Sequence, residues 1–245
     1  MNRKNPLTLT IDIGGSAIKM MVIDSNGLSQ SPRKKEPTPQ LATPANMIAL
    51  MLAMMSNIGK FDRLSVGFPG VIKKGVVMTA FNLDKSWIGY NLEQALGDLS
   101  KKPVLVANDA DIQGYASITG KGLEIVLTLG TGMGSALFVD GVLAPNLELG
   151  HHPLRKKRSY EQLLGQAALA KHGLEKWEKN LRQAVYQILT TFNCDALFIG
   201  GGNARHVDKE WLPEKVYISD NIAGLLGGIR LWQIHEQPQK NLRPS

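Results

Sequence analysis

LTLTIDIGGSAIKMMVID, residues 7–24, decides how the rest of the chain is read. Apolar side chains alternate up to Asp12, break at Gly14, Gly15 and Ser16, and resume at Ile18, Met20 and Val22. The run stops at Asp24, just before Asn26-Gly27. A period of two on both sides of a short glycine break reads as strand, tight turn, strand, with Asn-Gly closing the second strand. A plain hairpin turn needs neither an acid nor two adjacent glycines. A loop whose backbone must approach a phosphate does, because missing Cβ atoms let amide N–H groups point at the anion. Taken alone, the stretch leaves both readings open.

The pattern returns. EIVLTLGTGMGSALFVDG, residues 124–141, is again strand, glycine turn, strand, closed by Asp140-Gly141. PVLVANDAD (103–111) is an apolar strand that delivers Asn108 and Asp109 at its C-terminal end, and a helix follows from about Ile112. RLSVGFPG (63–70) is a strand ending in a sharp turn, and DALFIGGGN (195–203) runs into three glycines. Helices are expected from Ala45, after Thr43-Pro44, to about Gly59, over LEQALGDL (92–99), and over LEKWEKNLRQAVYQILTTF (174–192). SPRKKEPTPQ (31–40) reads as a connection, GVVMTA as a short strand, KVYISD as a last strand and NIAGLLGGIRLW as a last helix, with a frayed tail beyond. Two similar units predict a two-lobed α/β protein with mixed sheets and a cleft between the lobes, where ligands gather outside strand ends. The expected division is 1–108 and 109–220, with the helix at about 221–233 packing back on the first lobe.

Composition narrows the function classes. Of 245 residues, 43% are hydrophobic and 20% charged, as in ordinary globular proteins. No apolar run approaches the ~20 residues of a membrane helix, and no apolar signal segment precedes the first strand, so no membrane partner is expected. One cysteine, Cys194, rules out an internal disulfide, suits a reducing cytoplasm and reads as a core thiol. The net charge of +7 comes from short, scattered basic clusters without interleaved aromatics. A nucleic-acid partner is therefore not expected, and a phosphorylated or polyanionic small molecule suits the charge as well.

The stretches TIDIGGSAIKMMVID, VGFPGVIKKGVVMTAFNLDKSW, VLVANDAD, LTLGTGMGSALFVDGVLAPNLELGHH and DALFIGGGNAR, in this order, resemble the ROK family of sugar kinases (repressors, open reading frames, kinases). Within it they are most similar to the polyphosphate glucokinases and their relatives. The resemblance spans about Leu7 to Trp232. It implies the actin-like ATPase (ribonuclease H-like) fold and phosphoryl transfer from ATP or polyphosphate to a hexose, glucose at its 6-hydroxyl being the first choice. Such chemistry rests on positioning and on electrostatic stabilisation of the transferred group.

The resemblance assigns roles residue by residue. Asp12, Gly14, Gly15 and Ser16 would grip donor phosphates from one lobe, and Gly130, Thr131, Gly132 and Gly134 from the other. Gly201, Gly202 and Asn203 would lie on the nucleotide side. Asp12 would hold Mg²⁺ through water. Asp109 would be the general base, although as a strand-end acid it also suits helix capping, as does Asp111. Gly70 in the Phe68–Gly70 wall, Asn82, Asn108, Asp109, Glu148 and His151 would face the sugar. Lys19 reads as a solvated lysine, since a strand side chain turns away as readily as inward. Family members often dimerise, so a homodimer is a further expectation.

Two departures limit the resemblance. The Cys-rich zinc segment that follows ELGH in many members is replaced by HHPLRKKRSYEQLLG, so no structural zinc is expected. A second sugar-binding glutamate has no clear counterpart, Glu161 aligning poorly. The run Arg155–Arg158 reads as a solvated loop or as a guide for a polyphosphate chain. A non-catalytic sugar sensor is the rival function. The family's repressors carry an N-terminal DNA-binding domain for which a first strand at Leu7 leaves no room.

Overall fold

The computed structural model describes residues 5–219 and the helix 223–236. The chain opens with β1 (Thr8–Ile13) and β2 (Ala17–Ile23), an antiparallel pair that places Asp12 directly opposite Lys19. β3 (Lys34–Pro37) pairs with β2 where the sequence suggested only a connection. Its exposed Lys35 and its proline are what a sheet edge needs to discourage further pairing, and its charged residues erase the apolar alternation that marks inner strands. α1 (Pro44–Met55) starts where predicted, with Thr43 as its cap, and ends one turn early. β4 (Arg63–Phe68), the small hairpin β5 (Ile72–Lys73) and β6 (Val76–Val77), α2 (Leu92–Ser100), β7 (Val104–Asn108) and α3 (Asp109–Ser117) follow.

The second half repeats the plan with β8 (Leu123–Leu129), β9 (Met133–Val139) and β10 (Val142–Ala144). An inserted hairpin comes next, β11 (Pro153–Arg155) and β12 (Arg158–Ser159). The helices α4 (Tyr160–Leu164), α5 (Gln166–His172) and α6 (Leu174–Phe192) lead to β13 (Ala196–Gly200), β14 (Val216–Ile218) and α7 (Ala223–Glu236). The sheet orders are β3-β2-β1-β4-β7 and β10-β9-β8-β13-β14. Numbered within each half, both read 3-2-1-4-5, with the first three strands antiparallel and the last two parallel.

Each sheet buries one face against its own helices. Leu9, Ile11, Met20, Leu64 and Val66 pack with Met47, Met51 and Trp87 in the first core. Ile125, Leu127 and Leu197 pack with Trp177, Leu181 and Ile188 in the second. Cys194 is a buried member of that core, as expected. Between the sheets lie α3 and α7. Gly227 and Gly228 let α7 approach closely, since a Cβ at Gly227 would strike the Ile112 carbonyl of α3, and one at Gly228 would meet Thr10 and Ser65. α7 is tied to the first sheet by Ser65 Oγ donating to the Gly228 carbonyl at 2.6 Å, Trp232 Nε1 donating to Leu64 O at 3.2 Å, and the Arg63–Glu236 ion pair at 2.6 Å. The predicted frayed tail beyond this helix and the end of KVYISD lie outside the described residues.

Candidate active site

A cleft of about 200 Å³ lies where the two glycine turns meet. The first turn is held by Gly14 N–H donating to Ala17 O (3.0 Å), with Thr38 Oγ1 donating to Gly14 O (2.6 Å) and Thr38 N–H to Ser16 O (3.1 Å). The second is closed by Gly130 N–H donating to Gly132 O (3.0 Å) and backed by Gln166 N–H, which donates to Gly130 O at 2.9 Å. Ser16 Oγ and Thr131 Oγ1 stand 3.2 Å apart and join the turns across the gap. Gly201, at φ +86°, follows β13, and a Cβ there would run into the Leu129 backbone. Only glycine allows the third turn to pass so close to the second.

Asp109 is the first residue of α3 and lines the cleft. The helix is capped by Asn108, not by Asp109 or Asp111. Asn108 Oδ1 accepts from Ala110 N–H (2.8 Å) and Asp111 N–H (3.3 Å). The cap frees the Asp109 side chain to face the cleft, where Oδ1 accepts only from Ala110 N–H among the described residues. Burial is the largest cause that pushes its carboxyl up to about 8, with Asp12, Glu148 and Asp111 adding negative charge against the Ala110 hydrogen bond. Asp111 is buried behind it and pushed up to about 7, again chiefly by desolvation.

The polar wall opposite is built from the segment after β10. Asn108 Nδ2 donates to Gly70 O (3.1 Å) and to Glu148 Oε1 (3.4 Å), so the cap residue also sets the position of this acid. Glu148 is raised above the ordinary carboxylate range by burial, and Glu161 adds to the rise while His151 opposes it. His151 Nε2 lies 3.4 Å from Glu148 Oε2, and its ring stacks on Phe81 with centroids 3.7 Å apart.

Asp12, Gly14, Gly15, Gly70, Asn82, Asn108, Asp109, Gly130, Thr131, Gly132, Gly134, Glu148, His151, Gly201 and Gly202, all singled out from sequence, line this cleft. Three expectations need correction. Asn203 is buried behind the cleft, where Nδ2 donates to Gly130 O at 3.1 Å; it shapes the second turn from outside. Phe68 belongs to the core against Trp87, leaving Pro69 and Gly70 to form the wall. Lys19 is not simply solvated, since its Nζ donates to Asp12 Oδ2 at 2.8 Å. Directly opposed residues of an antiparallel pair share a face, so the register of the hairpin contained that signal.

Glu161, Gln113, Thr128 and Phe81 also line the cleft and were not assigned from sequence. Glu161 arrives there because Ser159 and Gln162 form a capping box that starts α4. This sets Glu161 so close to Gly132 that a Cβ on the glycine would collide with its carboxylate. Three carboxylates (Asp109, Glu148 and Glu161) and an imidazole thus share the cleft with Asp12 and with turns rich in amide N–H groups. Such a set can hold hydroxyls and accept a proton at one end and oppose an anion's charge at the other.

A sequence profile of the ROK family matches residues 8–161. Polyphosphate glucokinases from Mycobacterium tuberculosis and Mycobacterium leprae are 38% and 36% identical over 215 and 213 residues. The alignments cover 83% of this chain in both cases, and 80% and 65% of those proteins. The solved inorganic polyphosphate/ATP-glucomannokinase from Arthrobacter sp. strain KM superimposes with a TM-score of 0.84 at 32% identity, covering 94% of this chain and all of that one. A ROK family glucokinase from Streptomyces griseus, solved with glucose and AMPPNP, shares the fold with a TM-score of 0.77 at 19% identity, over 92% and 98% of the two chains. This chain belongs to the ROK family and is a hexose kinase built on the actin-like ATPase fold.

Proposed function

We propose that the chain transfers a phosphoryl group from ATP or inorganic polyphosphate to glucose at its 6-hydroxyl, with Asp109 as general base. The observation that carries this reading is the position of Asp109 in the cleft that both glycine turns line, within electrostatic reach of Asp12 and Glu148. Similarity to polyphosphate glucokinases and to a polyphosphate/ATP-glucomannokinase supports both donors and the sugar.

In this reading the hexose lies against Asn82, Asn108, Glu148, His151 and Glu161, whose carboxylates, amides and imidazole match the alternating donors and acceptors of a sugar. Asp109 accepts the proton of the attacking hydroxyl as the oxygen closes on phosphorus. The N–H groups of the turns at Gly14–Ser16 and Gly130–Gly134 hold the donor phosphates without adding a fixed charge. A cleft of about 200 Å³ is smaller than typical ligand sites of ~300–1,000 Å³. The sheets therefore separate to admit both substrates and close to exclude water. We take residues 1–108 and 109–220 as the two moving lobes, with α7 carried by the first.

Mg²⁺ fits the donor set in one way. Among the described residues no cluster of three or more His, Cys, Asp or Glu closes on a single point. Mg²⁺ commonly keeps most of its water and leans on one or two carboxylates plus phosphates, and Asp12 supplies that carboxylate. Bound there, the ion would neutralise donor phosphate charge. Action in the cytoplasm as a homodimer completes the reading, and light scattering tests the assembly.

The test is a coupled assay with a panel of hexoses against ATP, GTP and polyphosphate. Turnover with glucose, lost in Asp109→Asn while sugar binding persists, is the expected result. Sugar binding without turnover for any donor replaces the reading with a sugar sensor.

A further inference from the structure

The basic run that the sequence left between two readings forms one wall of an open groove of about 840 Å³, separate from the cleft. Arg155, Lys156 and Arg158 come from the β11–β12 hairpin, and Lys176, Lys179 and Arg182 from the first turns of α6. The last three recur at intervals of three residues, which lays them along one helix face. Against six cations the lining offers two carboxylates, Glu175 and Glu178. Glu178 is already engaged, accepting from Trp211 Nε1 at 2.5 Å and standing 3.7 Å from Arg182. That contact is the only ion pair these six cations make among the described residues.

The hairpin is built against its own local preferences. Arg155 and Arg158 are directly opposed across the strands, where like charges repel. The two tip residues, Lys156 and Lys157, hold φ values of +46° and +61°, a turn normally filled by Asn and Gly. His172, in the groove lining, is held below its ordinary value by desolvation and by the charges of Lys176, Lys171 and Arg158. Positive charge is therefore concentrated here with little internal compensation, a state that a bound polyanion relieves. Apart from the His172 ring, no aromatic side chain among the described residues lines the groove, so it lacks the stacking platform used for single-stranded nucleic acid.

We infer that this groove anchors the tail of a linear inorganic polyphosphate chain whose terminal phosphoryl group is in the cleft. The inference rests on the proposed donor reading and extends it to a second contact region. α4 connects the two places. Arg158 of the hairpin is followed three residues later by Glu161 of the cleft wall, no more than about 11 Å of chain. A long chain can thus engage cleft and groove together, and the groove then raises the effective concentration of donor ends. ATP and tripolyphosphate engage the cleft alone.

The experiment compares the whole chain with Lys156→Glu/Arg158→Glu and, separately, Lys176→Gln/Lys179→Gln. Steady-state kinetics are measured with ATP, tripolyphosphate and long-chain polyphosphate. Both variants are expected to raise KM for the long chain about tenfold or more and to leave ATP and tripolyphosphate within twofold. Raising salt to about 0.5 M should erase the long-chain advantage of the unmodified protein. An unchanged long-chain KM, or an equal rise for all donors, overturns the inference. Direct titration of long-chain polyphosphate onto the Asp109→Asn protein, with and without the groove substitutions, separates the two claims. Weakened binding in the groove variants supports the groove even if polyphosphate proves not to be a donor. Unchanged binding overturns the groove while the donor reading stands. Equal competition by single-stranded RNA at matched charge overturns the assignment to polyphosphate.

Discussion

In the first sheet Asp12 stands two residues before the glycine turn and faces Lys19 across the hairpin; in the second, Thr128 holds the same place and faces Gly134. The strand orders are identical and both turns present backbone to the cleft, yet one carries an ion pair and the other a hydroxyl packed against a glycine. A Cβ on Gly134 would meet Thr128 Oγ1 at 2.5 Å and Ala110 at 2.8 Å, so α3 has taken the space a side chain would need. The duplicated topology supplies two uncharged glycine turns. Charge enters where the halves differ: through Asp12 and Asp109 on one side, and through Glu148, His151 and Glu161 on the segment inserted after β10 on the other.

The contrast breaks first at Asp109. Asp109→Asn should lower kcat by about 10²–10⁴-fold while leaving hexose affinity nearly intact, as measured by steady-state kinetics and sugar titration. Its effect on stability has the opposite sign. The carboxyl sits at about 8 in the folded chain against 3.8 for an ordinary aspartate, so the folded chain holds a proton that the unfolded chain has released. Stability contributed by this group therefore falls as pH rises from about 4 to about 8. The amide should raise the melting temperature at pH 8 by a few degrees in the substrate-free protein. A lower melting temperature would count against the crowding of acids described here.

The ion pair of the first hairpin gives the next largest effect. A base must be ionised to accept a proton, so kcat/KM for the sugar should climb about tenfold per pH unit below about 8 and then level. Asp12→Asn removes a charge that raises Asp109 and should move this limb to lower pH. Lys19→Met leaves Asp12 uncompensated and should move it the other way. Shifts in the same direction for both variants would break the argument.

Smaller effects test the backbone. Gly201→Ala forces a left-handed residue and a contact with the Leu129 backbone, costing about 1–3 kcal/mol, or roughly 2–12 °C in melting temperature. Gly130→Ala meets nothing within 4 Å, so it should leave the melting temperature unchanged and act only on donor KM. Ser16→Ala, which removes the hydroxyl contact between the turns, should cost about 0.5–1.5 kcal/mol and change donor KM only a few-fold.

Strand period, glycine breaks and the acid at a strand end were readable without coordinates because they are local: alternation and turn chemistry act between neighbours along the chain. That reading found both hairpins, the repeat, the ROK resemblance and most of the residues that meet in the cleft, though not Phe81, Gln113, Thr128 or Glu161. It missed β3, whose edge position removes the apolar signal, and misplaced Asn203 and Phe68, whose surroundings come from distant segments. Asn108 shows the limit best. Its residue type suited either a sugar contact or a cap, and only the fold lets one amide cap α3 while bracing Gly70 and Glu148, 38 and 40 residues away.

The amino-acid order by itself determined two glycine-turn units, an acid poised at the end of β7, and membership of a kinase family. Tertiary structure alone decided that Asn203 braces the second turn from behind, that Glu161 closes over Gly132, and that a hairpin and a helix pool their cations into a groove. The reason is range. Hydrophobic period and turn preference are set within a few residues, whereas the charge balance of a site sums over whichever side chains folding brings within several ångströms.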